Sequence, residues 1–199
     1  MPTVVFDLGN TLVPFSFAAL KPRLEPCRER IQALSQRAEI GAITPAAFRA
    51  AACALTGVDP GKFDAWWCSV FDDRWLIAPR LIGELKQLGW RVGLLSNTSA
   101  LHYEFLRRTR PELAEFDFQV LSFEAGACKP DPRIFAAVER AAGGGVRPED
   151  IIYFDDIEEY VMAARRRGWQ AEVFTGGEAD VRRRLGLAQE AERAATPRT

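Results

Sequence analysis

The feature that most constrains the fold is an alternation of short apolar, β-favouring runs with helical segments. The runs cover residues 4–6, 90–95, 116–121, 151–154 and 170–174. Helical periodicity fills the intervals between the last four of these runs. Strands that alternate with helices of this length form βαβ units, and such units build a parallel sheet with helices on both faces. The chain is therefore expected to belong to the α/β class.

Residues 14–77 interrupt this alternation, because they carry helical signals and no run that could join the sheet. Apolar side chains recur there at helical spacing, for example from Leu24 to Leu34. The segment leaves the sheet at the end of the first strand, so it is placed to cover a site at that edge. We expect a Rossmann-like parallel-sheet core of residues 1–13 and 78–199, with an inserted helical cap of residues 14–77.

Composition argues against several classes of protein. The 199 residues carry a net charge of −1, which gives no reason to expect nucleic acid or an anionic membrane as a partner. The first apolar run has no basic region before it and Asp7 interrupts it, so a signal peptide is not expected. The four cysteines form no C-x-x-C pair, which disfavours zinc and fits reduced thiols in a cytoplasmic protein. The polar tail from about Gln189 is expected to fray.

Polar side chains stand at or just beyond the ends of the first four expected strands. They are, in chain order, Asp7, Ser96, Asn97, Lys129, Asp155 and Asp156. Each has an ordinary alternative, because small polar residues and aspartates cap helices and a lysine can simply lie at the surface. The carboxyl ends of parallel strands meet at one edge of a sheet, however, so we expect these groups to converge. Three carboxylates with one lysine and small donors suit Mg²⁺ and a substrate phosphate.

The same strand ends carry four longer motifs. They are Phe6-Asp7-Leu8-Gly9-Asn10-Thr11-Leu12, Leu94-Leu95-Ser96-Asn97-Thr98, Lys129-Pro130-Asp131-Pro132-Arg133-Ile134-Phe135 and Tyr153-Phe154-Asp155-Asp156. In order and spacing they resemble the motifs of the haloacid dehalogenase-like (HAD) hydrolase superfamily, over nearly the whole chain. The chain is most similar to the glucose-1-phosphatase-type phosphatases and the N-terminal phosphatase domain of soluble epoxide hydrolases. The helical insertion resembles the cap that this superfamily carries after its first motif.

The resemblance implies a Mg²⁺-dependent phosphatase that acts on a small phosphorylated metabolite such as a sugar phosphate. Asp7 would attack phosphorus and form an aspartyl phosphate. Lys129 would offset charge on the nucleophile and on the phosphate. Asp7, the backbone carbonyl of Gly9 and Asp156 would hold the metal. Asp155 would be a further ligand or would support the ligands from behind.

The resemblance also implies which residues meet the substrate. Ser96 would hydrogen-bond the phosphoryl group with Asn97 beside it, and Thr11 would support the first loop at the substrate-binding end. His102, the only histidine, has either a structural role or a role at the edge of the site. The cap is expected to set specificity, and its residues match no motif that would name the substrate.

Two positions depart from the superfamily pattern. Gly9 stands where its phosphatases usually carry a second aspartate that protonates the leaving oxygen, a contribution of roughly 100- to 10,000-fold. The enzyme could use leaving groups that need little protonation, or a water or cap residue could transfer the proton. Alternatively, turnover is lost and a phosphate-binding or regulatory module remains. Tyr160 replaces the usual Asp or Asn, which weakens the support of the metal. A 2-haloacid dehalogenase needs no metal, so the Asp155-Asp156 pair argues against that reading.

Overall fold

A parallel sheet forms the centre of the molecule in the computed structural model, which describes residues 1–187. Within that range five strands pair in the order β3-β2-β1-β4-β5. Their bounds are Thr3–Phe6 for β1, Arg91–Ser96 for β2, Phe118–Leu121 for β3, Ile151–Asp155 for β4 and Gln170–Val173 for β5. The α/β class and the parallel sheet expected from the sequence are confirmed. The tail from Gln189 lies outside the described residues.

The central strand β1 aligns the polar strand ends. Phe6 pairs with Leu94 of β2 on one side and with Phe154 of β4 on the other. The next residue, Asp7, donates its backbone N–H to the carbonyl of Phe154 at 2.9 Å. Asp7 and Asp155 therefore emerge at the same level of the sheet, because side chains advance in step along paired parallel strands.

Helices cover both faces of the sheet. Their bounds are Arg80–Gln87 for α5, Ala100–Thr109 for α6, Ser122–Ala125 for α7, Pro132–Ala141 for α8, Glu158–Arg166 for α9 and Glu178–Arg184 for α10. Buried side chains of α5, α6 and α10 pack on one face, and those of α8 and α9 pack on the other. Two of these helices were not predicted: α7 is a single turn, and α10 carries too few apolar residues for a periodic signal.

The inserted segment is helical and has a core of its own. Its helices are α1 Lys21–Leu24, α2 Arg28–Glu39, α3 Pro45–Thr56 and α4 Pro60–Cys68. Ile31, Phe48, Phe63 and Trp67 pack together beside Leu101 of α6. None of the five described sheet strands lies in this segment, as expected, and none of the described helices is long and apolar enough to span a membrane.

The expectation of continuous helical periodicity from Leu24 onward is wrong at its start. A 3₁₀ turn at Glu25–Cys27 separates α1 from α2. Pro26 lies in this turn, and a proline has no N–H to continue an α-helical hydrogen-bond ladder. The first turn of helix thus ends before the longer α2 begins.

The loop after α2 presses against the part of the core that carries α7. Gly41 has φ +68°, and a Cβ at this position would overlap the carbonyl oxygen of Phe123. The Cys128 thiol lies beside the end of the same helix, with its Sγ 3.9 Å from the carbonyl oxygen of Glu39. The C-terminal end of α2 is therefore fixed next to the loop that leads to Lys129.

Candidate active site

Lys129 lies at the centre of the polar strand ends. Its Nζ atom is 2.6 Å from Asp7 Oδ1 and 2.6 Å from Asp155 Oδ2, and it donates to the Tyr153 hydroxyl at 3.1 Å. The residue is only 3% exposed, so the alternative of a surface lysine is wrong. Burial opposes its charge, but the carboxylates of Asp7 and Asp155 raise the pKa of Lys129 above its ordinary value. The side chain is therefore an ammonium that ties β1 to β4.

Three carboxylates meet around this lysine. One oxygen each of Asp7, Asp155 and Asp156 lies within 4.8 Å of the other two. Burial raises the pKa of Asp7, the Lys129 ammonium opposes the rise and Asp155 adds to it. Burial and the charge of Asp155 also raise the pKa of Asp156. Fully ionised, the cluster has two more negative charges than positive ones, so its charge and its oxygen donors fit a divalent cation.

Asn97 holds the backbone of Lys129. Its Oδ1 accepts from the Lys129 N–H at 2.7 Å, and its Nδ2 donates to the Lys129 carbonyl at 3.0 Å. Its amide is thus already engaged on the loop rather than free for a ligand. Ser96 is buried and borders a cavity. Neither residue caps the following helix, since Ser99 accepts from the His102 N–H and fills that role.

The first loop contributes Gly9 and Thr11, which lie in different surroundings. Gly9 borders a cavity, and a Cβ there would contact the Phe15 side chain at 3.6 Å. Thr11 is fully buried and is not among the residues around that cavity. Its hydroxyl finds no partner in the described part of the chain. This position fits support of the loop better than direct contact with a substrate.

Three further residues belong to the site although the sequence analysis gave them no supporting role. Asn10 accepts from the Phe15 N–H at 2.9 Å. Its side chain also opposes the rise in the pKa of Asp156 that burial causes. The Tyr153 hydroxyl donates to Asp155 Oδ2. The Tyr160 ring lies under the ammonium of Lys129 at 5.1 Å, which is a cation–π contact. Tyr153 had a usable signal, because a residue two positions before Asp155 on a strand shares its face.

A cavity of about 70 Å³ separates these strand ends from the inserted helices. Gly9 and Ser96 border it on the sheet side, and aromatic rings such as Phe15 and Trp67 border it on the helical side. An outer groove of about 560 Å³ runs over the inserted helices. The two spaces share several lining residues, including Trp67 and Glu39. A phosphorylated ligand could thus place its phosphate at the strand ends and its organic part among the aromatic rings.

His102 contributes to the wall of this cavity from α6. Its ring stacks on Trp67 with 5.5 Å between the centroids and 12° between the planes. Its Nε2 lies 3.4 Å from the Trp67 carbonyl, which only accepts, so Nε2 carries the proton. Burial lowers the pKa of His102 to about 4. The residue therefore has a packing role and also lies at the edge of the site as a neutral ring.

Comparison with known proteins agrees with this architecture. Phosphatase MT3486 of Mycobacterium tuberculosis (strain CDC 1551 / Oshkosh) is 36% identical over 89 residues, which are 44% of this chain and 40% of that protein. The rhythmically expressed gene 2 protein of Drosophila melanogaster is 31% identical over 91 residues, 44% of this chain and 34% of that protein. The matched part is therefore less than half the length of either relative.

A solved structure matches over more of the chain. The HAD family enzyme bt-2542 from Bacteroides thetaiotaomicron has a TM-score of 0.82 and 26% identity, over 93% of this chain and 98% of that one. Its wild-type complex with magnesium and inorganic phosphate has a TM-score of 0.72 and 26% identity, over 89% and 96% of the two chains. Residues 1–168 match the haloacid dehalogenase-like hydrolase family. The chain belongs to the haloacid dehalogenase-like hydrolases.

Proposed function

We propose that the protein is a Mg²⁺-dependent phosphatase that hydrolyses a small phosphorylated metabolite, such as a sugar phosphate, through an aspartyl phosphate on Asp7. The observation that carries this proposal is the buried contact of Lys129 with Asp7 and Asp155, next to a third carboxylate. An ammonium at 2.6 Å holds the Asp7 carboxylate in one orientation, as in-line attack requires. A HAD relative of known structure has been crystallised with magnesium and phosphate together, which supports the same assignment.

The remaining residues divide the work of binding. The hydroxyl of Ser96, which borders the cavity, would donate to a phosphoryl oxygen, while Asn97 positions the backbone of Lys129. Of the two roles expected for Asp155, support is favoured. Its Oδ2 accepts from Lys129 and its Oδ1 accepts from the Ile157 N–H at 2.8 Å.

Asp7, Asp156 and the carbonyl of Gly9 would then hold the metal. Bound Mg²⁺ would offset the surplus negative charge and polarise the phosphoryl group. The carboxylates of Asp7 and Asp156 lie close enough together to share one ion.

The helical insertion, residues 14–77, is proposed to act as a cap that selects the organic part of the substrate. Support comes from the cavity, whose helical side is lined by residues of this segment such as Phe48 and Trp67. No charged side chain of the cap other than Glu39 reaches the cavity among the described residues. Aromatic contact is therefore the main recognition that the cap would offer there.

The test is phosphate release from a panel of sugar, acyl and aryl phosphates, with and without Mg²⁺. We expect metal-dependent turnover that falls about 1,000-fold or more in Asp7→Asn, because the nucleophile is lost. Asp73→Asn, which alters an exposed aspartate, is the matched control and should leave the rate unchanged. Turnover that survives in Asp7→Asn would contradict the mechanism.

A second candidate is a catalytically weak phosphate-binding module, which the missing carboxylate at Gly9 favours. In that case phosphate compounds would raise the thermal unfolding midpoint of the natural protein without any turnover on the panel. The same preparation measured by both assays separates the two functions, because only an enzyme releases phosphate.

A further inference from the structure

The cavity between the strand ends and the inserted helices contains few groups that could carry a proton. Among the described residues around it, only Glu39 and His102 have side chains with a carboxyl or imidazole group that can exchange a proton. Gly9, which borders the same space, has no side chain, and a Cβ there would start in contact with Phe15. A proton for a leaving oxygen in this cavity must therefore come from Glu39, from His102 or from water.

Both the Nε2 proton and the ring of His102 are already in contact with neighbouring residues. Its Nε2 proton faces the Trp67 carbonyl at 3.4 Å, and its ring is stacked on the indole of Trp67. Phe15 and Phe71 meet it edge-on, with centroids at 6.2 Å and 5.1 Å. Burial lowers the pKa of His102 to about 4, so at neutral pH it has no acidic proton beyond the one already placed. It is therefore unsuited to protonate a leaving group.

Glu39, unlike His102, has a carboxyl group that is not engaged by its described neighbours. Its carboxyl group has no hydrogen bond and no ion pair among residues 1–187, although the residue is half-buried. Burial raises the pKa of Glu39 above its ordinary value of 4.5. The carboxyl group is thus available to hold a proton, in a cavity that it shares with Ser96.

The position of Glu39 is also fixed against the catalytic core. It is the last residue of α2, and its carbonyl oxygen lies 3.9 Å from Cys128 Sγ, one residue before Lys129. The following Gly41 fits directly against the carbonyl of Phe123. These two contacts hold the end of the helix at the core, so the carboxyl group does not depend on a distant lid for its placement.

We propose that Glu39 is the general acid and base that takes the place of the carboxylate absent at Gly9. The proposal rests on the phosphatase function proposed above. When an Asp7 oxygen bonds to phosphorus, the bond from phosphorus to the leaving oxygen breaks and Glu39 gives its proton to that oxygen. Glu39 then accepts a proton from water, whose oxygen bonds to phosphorus. The acyl phosphate bond breaks, phosphate leaves and Asp7 is restored as a carboxylate.

The test compares substrates whose leaving groups differ in their need for a proton. Glu39→Gln should lower kcat/KM for a sugar phosphate, an alkyl phosphate, by about 100-fold or more, because an alkoxide leaves poorly without protonation and kcat/KM reports the step in which it leaves. The same variant should change kcat/KM for 4-nitrophenyl phosphate and acetyl phosphate by less than about 3-fold, since those groups leave as stable anions. The kcat values of these two substrates should fall, because the base-assisted second step is common to all substrates. The matched control is Glu25→Gln, which alters a glutamate of the outer groove that does not line the inner cavity. It should leave both rates unchanged.

A measurement on the natural protein needs no variant. Across a series of aryl and alkyl phosphates its rate should depend only weakly on the pKa of the leaving group, because the proton transfer compensates poor leaving groups. A steep dependence would overturn the proposal. So would an equal loss, or no loss, of kcat/KM for both substrate classes in Glu39→Gln.

These failures are distinct from failure of the function itself. If the natural protein releases no phosphate from any substrate, both proposals fall together. If it turns over alkyl phosphates and Glu39→Gln does so equally well, only the assignment of Glu39 is wrong. Restored alkyl phosphate hydrolysis in the double variant Glu39→Gln, Gly9→Asp would support it further, because a carboxyl group would return to the cavity from the other wall.

Discussion

The cluster around Lys129 and the helical wall of the cavity are built in opposite ways. In the cluster, one ammonium joins two carboxylates and a phenol at distances of 2.6 to 3.1 Å, all of them buried. In the wall, stacked aromatic rings enclose a neutral His102 and a half-buried Glu39 whose carboxyl group has no partner among the described residues. The first region fixes geometry through charge, and the second offers shape and one unengaged acid.

Under the proposed function, this difference would separate what is common to phosphoryl transfer from what is particular to one substrate. Charged groups at the ends of strands would act on the phosphate, whose geometry is the same for every substrate. Side chains from the inserted helices would face the organic part, which varies. The following predictions test whether substitutions in the two regions also differ in their effect on the free energy of unfolding.

The largest effect is expected for the charge at the centre of the cluster. Lys129→Met leaves the buried carboxylates of Asp7 and Asp155 without their counterion, so the free energy of unfolding should fall by about 3–5 kcal/mol. Chemical denaturation with EDTA present measures this without compensation by a metal. Lys86→Met, which removes an exposed pair with Asp117, should change it by less than about 1 kcal/mol. If both variants lost the same unfolding free energy, the buried ion pairs of Lys129 would contribute no more to stability than an exposed pair.

The second prediction concerns His102 in the cavity wall, whose protonation should make the stability of the protein depend on pH. The pKa of His102 in the folded protein, about 4, lies below its ordinary value of 6.5, so protons bind the unfolded chain more readily. Its contribution to stability is therefore complete above pH 6.5, falls as the pH drops and is lost below about pH 4. The total is about 3 kcal/mol.

Comparison with His102→Phe isolates this contribution, because the variant keeps an aromatic ring against Trp67 and has nothing to protonate. As the pH falls from 6.5 to 4, the unfolding free energy of the natural protein should decrease relative to that of the variant. If the unfolding free energies of the two proteins changed equally with pH over this range, the histidine would not be held neutral in the folded protein.

A smaller effect is expected for the phenol inside the cluster. Tyr153→Phe removes one hydroxyl that donates to Asp155 and accepts from Lys129, while the direct ion pair stays in place. The free energy of unfolding should fall by about 1–2 kcal/mol. Tyr103→Phe removes a half-buried hydroxyl that bonds Gln119 outside the site and is the matched control, with an expected loss below about 1 kcal/mol. If the control lost more, the cluster would not depend on its phenol.

The sequence made the cluster predictable but not the wall, and the reason is geometric. Asp7 and Asp155 stand at the ends of strands, and the pairing of parallel strands alone brings such ends together. Glu39 and Trp67 come from different helices, and their periodicity indicates which face is apolar but not how the helices pack on the core. The cavity that they share therefore had no signature in the sequence.

Within the cluster, sequence reasoning found the residues more reliably than their contacts. Asn97 was expected to lie beside the phosphoryl group, and the structure shows its amide on the backbone of Lys129. Tyr160 was interpreted as a loss of support for the metal, and its ring lies under the Lys129 ammonium. Both contacts depend on the path of the loop before Lys129, which the residue pattern does not determine.

The smallest effect is expected at Thr11, a polar group that belongs to neither region. Its hydroxyl is fully buried and has no partner in residues 1–187, so Thr11→Val replaces an unsatisfied group with an apolar one of the same shape. The free energy of unfolding should stay within about 1 kcal/mol of the natural value or rise slightly. Phosphate release should not change, because the side chain does not line the cavity. A marked loss of turnover at unchanged stability would instead indicate that Thr11 contributes to substrate binding and belongs to the site.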